Sequence, residues 1–125
     1  MSPEAILVRR LLQLDAAACV VNGAVYLALG GVLDSVLGVD ASLLWPLGGL
    51  LLAWAAFLWY AASSLRPGAT WVVIGANVGW AVVSLVVLAG GWLSPTTVGG
   101  VWIAVQALAV AALAGAQLYA LRRAF

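Results

Sequence analysis

The chain has 125 residues, of which 66% are hydrophobic and 7% charged, and its mean hydropathy is +1.18. Soluble domains carry about 25% charged residues. The sequence is therefore that of an integral membrane protein, in which four spans of roughly 20 residues leave room for short connectors and none for a soluble catalytic domain. A net charge of +1, the lack of histidine and a single cysteine, Cys19, exclude a nucleic-acid binder, an intramolecular disulfide and a zinc, haem or iron–sulfur centre built from the chain's own side chains.

The fold these features predict is all-α: a four-helix up-and-down bundle in the membrane, one domain over residues 1–125, with spans at about 11–29, 44–65, 70–89 and 98–120. The first helix opens on Ser2, Pro3 and Glu4, which supply a capping hydroxyl, a proline suited to the first turn and an acid at the positive helix end. It passes Arg9 and Arg10 and runs apolar from Leu11 to Leu29, where the pair Gly30 and Gly31 predicts its end. The apolar run is longer than that of a cleaved signal peptide and is interrupted by Asp15 and Asn22, which makes it a retained span. Between Val32 and Leu44 the residues Asp34, Ser35, Gly38, Asp40 and Ser42 alternate with apolar ones. Val32, Leu33, Val36 and Leu37 stand at helical spacing and predict a short interfacial helix in the first external loop.

The second span begins between Asp40 and Pro46 and continues through Trp59 and Tyr60 to Leu65. Arg66, Pro67 and Gly68 form a connector so short that the second and third helices are expected to be antiparallel neighbours. The third span runs from Thr70 to Ala89 and stops at Gly90 and Gly91. Ser94 and Pro95 repeat the N-terminal capping signature and predict the start of the fourth helix, which runs to Leu121 before Arg122 and Arg123. Contacts between the first and fourth helices close the bundle.

The positive residues Arg9, Arg10, Arg66, Arg122 and Arg123 all fall on one side of this arrangement, and the loop acids Asp34 and Asp40 on the other. Positive residues in short loops favour the cytoplasm, so both termini are expected inside a bacterial cytoplasmic membrane. Trp45 and Trp92 then belong to the outer aromatic belt and Trp59, Tyr60 and Trp71 to the inner one.

Asp15 is the only acid inside a span. Measured from Leu11 it lies about 6 Å in, and Gln117, measured back from Leu121, lies at a similar depth. The Gln117 amide is thus expected to donate to the Asp15 carboxylate, with Arg66 or Arg122 supplying a positive charge. Such a carboxylate either orders the bundle near the headgroups or couples proton or cation movement. Asp15, Cys19, Asn22 and Tyr26 share one face of the first helix, Asn77, Trp80 and Ser84 one face of the third, and Gln106 and Gln117 one face of the fourth. These stripes either hydrogen-bond helices together or line a ligand cavity or permeation path, which makes Asp15, Asn22, Asn77, Trp80, Gln106 and Gln117 the candidate ligand or coupling residues. Gly75 and Gly79 form a GxxxG, expected to allow close packing within the bundle in preference to a dimer seam. Trp54, Trp80 and Trp102 fall away from the interfaces and either fill the core or stack on a flat lipophilic ligand. With no histidine base, no phosphate-binding glycine loop and no carboxylate pair at helix spacing, neither an enzyme nor a cofactor or metal site is expected.

The residues Leu14-Asp15-Ala16, Asn22-Gly23, Tyr26-Leu27, Asn77 with Trp80 and Ser84, Gly91-Trp92-Leu93-Ser94-Pro95-Thr96 and Gln106-Ala107 carry a resemblance over nearly the whole chain. The sequence resembles an uncharacterised group of small four-span integral membrane proteins of actinobacteria and some proteobacteria, and the resemblance implies the topology and no activity. Arginine used to the exclusion of lysine fits a GC-rich bacterial gene. The small multidrug transporters also keep an acid in the first span, but Asp15 stands too near the inner rim to match. The fluoride channels carry a phenylalanine–threonine–serine motif in the third span that is missing here, and the one-sided arginines oppose the dual insertion of both groups. The expected function is that of a structural or accessory membrane protein binding partner helices or lipids, with the lipid bilayer and a membrane protein partner or a second copy as its partners and no nucleic acid. The alternative is a small transporter or lipophilic-ligand-binding protein using the Asp15, Asn22 and Asn77 face.

Overall fold

A computed structural model describes residues 2–91 and 94–125, and among them the chain forms four helices and no strand. They are α1 (Pro3–Leu37), α2 (Ala41–Ser64), α3 (Pro67–Gly90) and α4 (Thr97–Ala124). Each is long and apolar enough to cross a membrane; even the shortest rises about 36 Å, more than the hydrocarbon core requires. Trp92, assigned above to the outer belt, and Leu93 of the 91–96 motif lie outside the described residues.

α1 starts where its sequence predicts, with the Ser2 hydroxyl accepting the Ala5 amide at 3.1 Å and Pro3 in the first turn. It does not stop at Gly30. The helix continues to Gly38, which takes the left-handed conformation at φ 70° and donates its amide to the Asp34 carbonyl. Residues 32–37, predicted as a separate interfacial helix, are thus the last turns of α1. Gly30 serves a different purpose from a helix stop: Trp45 of α2 lies against it, and a Cβ there would stand 2.6 Å from the indole nitrogen. Gly23 and Gly48 repeat this closeness further along, where a Cβ on either would stand 2.8 Å from the other's carbonyl oxygen. A glycine inside a helix costs about 1 kcal/mol relative to alanine, and here the approach of a neighbouring backbone offsets it.

α2 is capped by Asp40, whose carboxylate accepts the Ser42 amide at 2.9 Å, and Pro46 stands inside the helix. At its other end Leu65 takes φ 51°. Arg9 of α1 donates from Nε to the Ala62 carbonyl at 3.1 Å, bringing a positive charge to the negative end of α2. α3 begins at Pro67, three residues ahead of the expected Thr70, because a proline fits the first helical turn. α4 begins later than Ser94 and Pro95 predict, since Thr96 is the cap. The Thr96 hydroxyl accepts the Gly99 amide at 3.1 Å and donates to the Val36 carbonyl at 2.6 Å, while its own amide donates to the Leu37 carbonyl at 3.1 Å. One residue therefore satisfies free carbonyls at the end of α1 and a free amide at the start of α4. Gly99 permits the approach, as a Cβ there would overlap the Leu37 carbonyl.

α1 packs along α2 on one flank and α4 on the other, and α3 packs on α4. The expected contact of α1 with α4 is present. The expected pairing of α2 with α3 is not, for these two helices scarcely touch. Their connector, Leu65 and Arg66, ties the helix ends together and does not hold the axes side by side. Val8, Leu12, Leu58 and Val73 form one fully buried core, and Tyr26, Leu37, Val39 and Leu44 form another at the far end. Arg9 reaches Ala62, and Pro3 and Glu4 lie beside Tyr119 and Arg123, so the arginines share one end of the bundle.

Candidate functional site

Asp15 is turned inward and only 4% exposed. Its Oδ2 accepts from Asn77 Nδ2 of α3 at 2.8 Å and from Gln117 Nε2 of α4 at 3.0 Å, and its Oδ1 faces the Cys19 thiol one turn on at 3.8 Å. Asn77 Nδ2 also donates to Gln117 Oε1 at 3.1 Å. The three polar side chains thus form a closed triangle. The α1 and α3 backbones make no close approach among the described residues, and the carboxylate and the amides link these two helices beside the apolar core that Val8, Leu12 and Val73 share.

The Asp15–Gln117 hydrogen bond expected from matching depths is present. The charge partner, Arg66 or Arg122, is not: every partner of Asp15 among the described residues is an amide or a thiol. Depth explains the difference. Asn77 stands about 15 Å along α3 from Pro67, and Gln117 about 10 Å from the end of α4. Asp15 lies at their level, deeper than the 6 Å estimated from Leu11. The arginines end elsewhere, Arg9 on the Ala62 carbonyl and Arg123 over the Tyr119 ring at 5.1 Å.

The remaining candidates make separate pairs. Trp80 Nε1 donates to Gln106 Oε1 at 2.9 Å, and Gln106 Nε2 turns back to the Ile103 carbonyl at 3.1 Å. Trp102 Nε1 donates to the Tyr26 hydroxyl at 2.8 Å. Gln106 and Gln117 therefore share a stripe of α4 without sharing a site. Trp54 stacks on Phe57 with ring centroids 5.1 Å apart. Asn22, on the Asp15 face, stays half-buried and outside the network. Gly75 and Gly79 face open space, so close packing within the bundle falls to Gly23, Gly30, Gly48 and Gly99 instead. Thr96, not Ser94, is the cap of α4, and its signal in the sequence is a hydroxyl residue directly ahead of the helix. Thr70, expected only as the first residue of the third span, is buried with its hydroxyl unpartnered among the described residues.

Hollows on the surface include the following two. One, of about 310 Å³, is an apolar groove between α3 and α4 lined by residues such as Ile74, Ala81, Leu85 and Leu118. The other, of about 250 Å³, lies between the start of α1 and the end of α4. Neither is lined by Asp15, Asn22 or Asn77. Among the described residues no group of three His, Cys, Asp or Glu side chains is placed to hold a metal ion. No protein-family model, curated protein or solved structure matches the chain. Chemically, then, the Asp15 triangle is a hydrogen-bonded joint among three helices.

Proposed function

We propose that the chain is a small structural or accessory protein of the bacterial cytoplasmic membrane, acting by binding partner helices or lipids and not by catalysis or transport. The observation that carries this reading is the occupation of Asp15, an acid 4% exposed within the bundle, by donors from its own chain among the described residues. A coupling carboxylate must meet the ion it moves, whereas a carboxylate enclosed by two amides and a thiol holds helices in register. Arginines gathered at one end of the bundle support an orientation with both termini cytoplasmic. Kinship with the small four-span group of actinobacteria and some proteobacteria belongs to the same proposal and rests on the motifs in the chain.

Two experiments test it. In proteoliposomes with dye-reported proton or sodium flux under an imposed potential, the wild type and Asp15→Asn are both expected to match protein-free vesicles. Flux in the wild type that Asp15→Asn abolishes would make Asp15 a coupling residue and overturn the reading. For orientation, cysteines placed at Ser2 and Ser35 in a Cys19→Ser background are expected to be protected and labelled, respectively, by an impermeant reagent outside the cell. Labelling at Ser2 would reverse the topology.

A further inference from the structure

The hollow of about 250 Å³ at the arginine end is walled by Pro3, Glu4 and Leu7 of α1 and by Tyr119, Ala120 and Arg123 of α4. Its exposed wall is apolar along Pro3 and Leu7 and carries two opposite charges, Glu4 and Arg123. Among the described residues these two make no ion pair within 4.0 Å, although they line the same space. The Arg123 guanidinium lies over the Tyr119 ring at 5.1 Å, which steadies the group through its face and leaves its N–H edge free to donate. A cation and an anion that line one recess unpaired present a dipolar site. The recess opens on the outside of the bundle at the ends of two helices that are each long enough to cross a membrane, the level at which lipid headgroups stand.

We infer that this hollow is a site for one phospholipid whose headgroup carries a phosphate and a primary ammonium, the phosphoethanolamine class. The phosphate accepts from the Arg123 edge, the ammonium donates to the Glu4 carboxylate, and an acyl chain runs along the exposed Leu7. A glycerol headgroup, with phosphate and no ammonium, would satisfy Arg123 and leave Glu4 facing a like charge. A choline headgroup has no N–H to donate to Glu4. Arg10 and Arg122 stand at the same end without lining the hollow and attract anionic lipids of every kind, so the selectivity assigned to Glu4 is separable from general charge. The inference deepens the lipid-binding part of the proposed function and rests on it.

The test uses delipidated full-length protein in detergent, titrated with phosphatidylethanolamine, its N-methyl derivative, phosphatidylcholine and phosphatidylglycerol of matched chains, with retention read by native mass spectrometry. Phosphatidylethanolamine is expected to be retained about fivefold better than phosphatidylcholine or phosphatidylglycerol, the worth of one partly exposed ion pair, with stepwise loss on N-methylation. Glu4→Gln should remove that preference, Arg123→Gln should weaken all phospholipids, and Arg122→Gln should leave the preference intact. Leu7→Trp, which fills the apolar side, should block retention, and soluble phosphoethanolamine without acyl chains should not compete. Equal retention of the ethanolamine and choline lipids by the wild type would overturn the inference, as would a loss in Arg122→Gln equal to that in Glu4→Gln. The methylation series needs no variant, so a misfolded Glu4→Gln does not blunt the test. Failure here leaves the flux result at Asp15 untouched, and a positive flux result leaves the lipid preference untouched, so the two readings fail separately.

Discussion

Along one flank α1 lies backbone to backbone against α2, with Gly23 facing Gly48 and Gly30 facing Trp45. On its other side α1 is joined to α3 at a distance, through Asp15 and Asn77 with Gln117 of α4 completing the triangle. Between helices in lipid the hydrophobic effect gives little, because acyl chains are as apolar as leucine. The two seams show the two remaining ways of holding helices together. Where backbones touch, the shape of the surface holds the helices along their length and a polar side chain enters only at the end, where Arg9 meets the Ala62 carbonyl. Where they stand apart, long amides must span the gap, and a carboxylate with two acceptor oxygens is the natural hub.

The first way to break this contrast is to fill the backbone seam. Gly48→Ala places a methyl 2.8 Å from the Gly23 carbonyl oxygen, 3.0 Å from Leu27 Cγ and 3.1 Å from Tyr26 Cβ. Because one of these is backbone and cannot swing aside, a loss of about 3 kcal/mol in detergent unfolding is expected, at the upper end of overpacking costs. A loss below that of a surface substitution would mean that α2 slides freely on α1. The next largest effect belongs to the polar seam. Asp15→Leu leaves the Asn77 and Gln117 amides without their shared acceptor and should cost about 2 kcal/mol. Asp15→Asn keeps an oxygen at the Oδ2 position and should lie within about 0.6 kcal/mol of the wild type, a typical hydrogen-bond increment in membranes. If the Asn and Leu variants melt alike, the triangle does not join the helices.

Much of the polar seam is legible in the sequence, and the backbone seam is not. The four-residue spacing of Asp15 and Cys19 and the similar depths of Asp15 and Gln117 follow from helix geometry alone, and so the face and one of its hydrogen bonds could be read directly. Gly30 shows the limit. A glycine that ends a helix and a glycine that admits a neighbour look the same in sequence, and only Trp45, on another helix, tells them apart. The same holds for Thr96, chosen over Ser94 as the cap of α4 because the carbonyls of Val36 and Leu37 lie within its reach. Asp15 has no arginine partner because α1 begins at Pro3, well ahead of the first apolar residue Leu11, and the carboxylate stands level with Asn77.

A smaller effect sharpens the contrast from outside. Gly75 and Gly79 carry the sequence pattern of a close-packed seam, yet nothing lies within 4 Å of a Cβ built on either. In isolated protein Gly75→Ala and Gly79→Ala should each stabilise by up to about 1 kcal/mol through helix propensity, opposite in sign to Gly48→Ala. Co-purification of a second copy or another membrane protein that these alanines disrupt would show that the outer face of α3 is a backbone seam waiting for a partner helix.

The smallest expected effect lies outside both seams, at the cap of α2. The main-chain amide of Ser42, with a further contribution from its side chain, holds the Asp40 carboxyl below the usual carboxylate range. A carboxyl so depressed by native hydrogen bonds contributes stability that is present above its ordinary range and is lost as pH falls through the lowered value. Asparagine caps a helix as well as aspartate and does not titrate, so Asp40→Asn should melt with the wild type at neutral pH and lose less stability on acidification. Reading the difference between the two melting curves cancels the titration of the other acids. Because Asp40 is exposed and α2 is held chiefly by its glycine seam with α1, the difference should be small and confined to the acid side. Parallel curves throughout would mean that the α2 start is set by packing at Gly30 and Gly48 alone, and the cap would then be a consequence of the backbone seam and not a support for it.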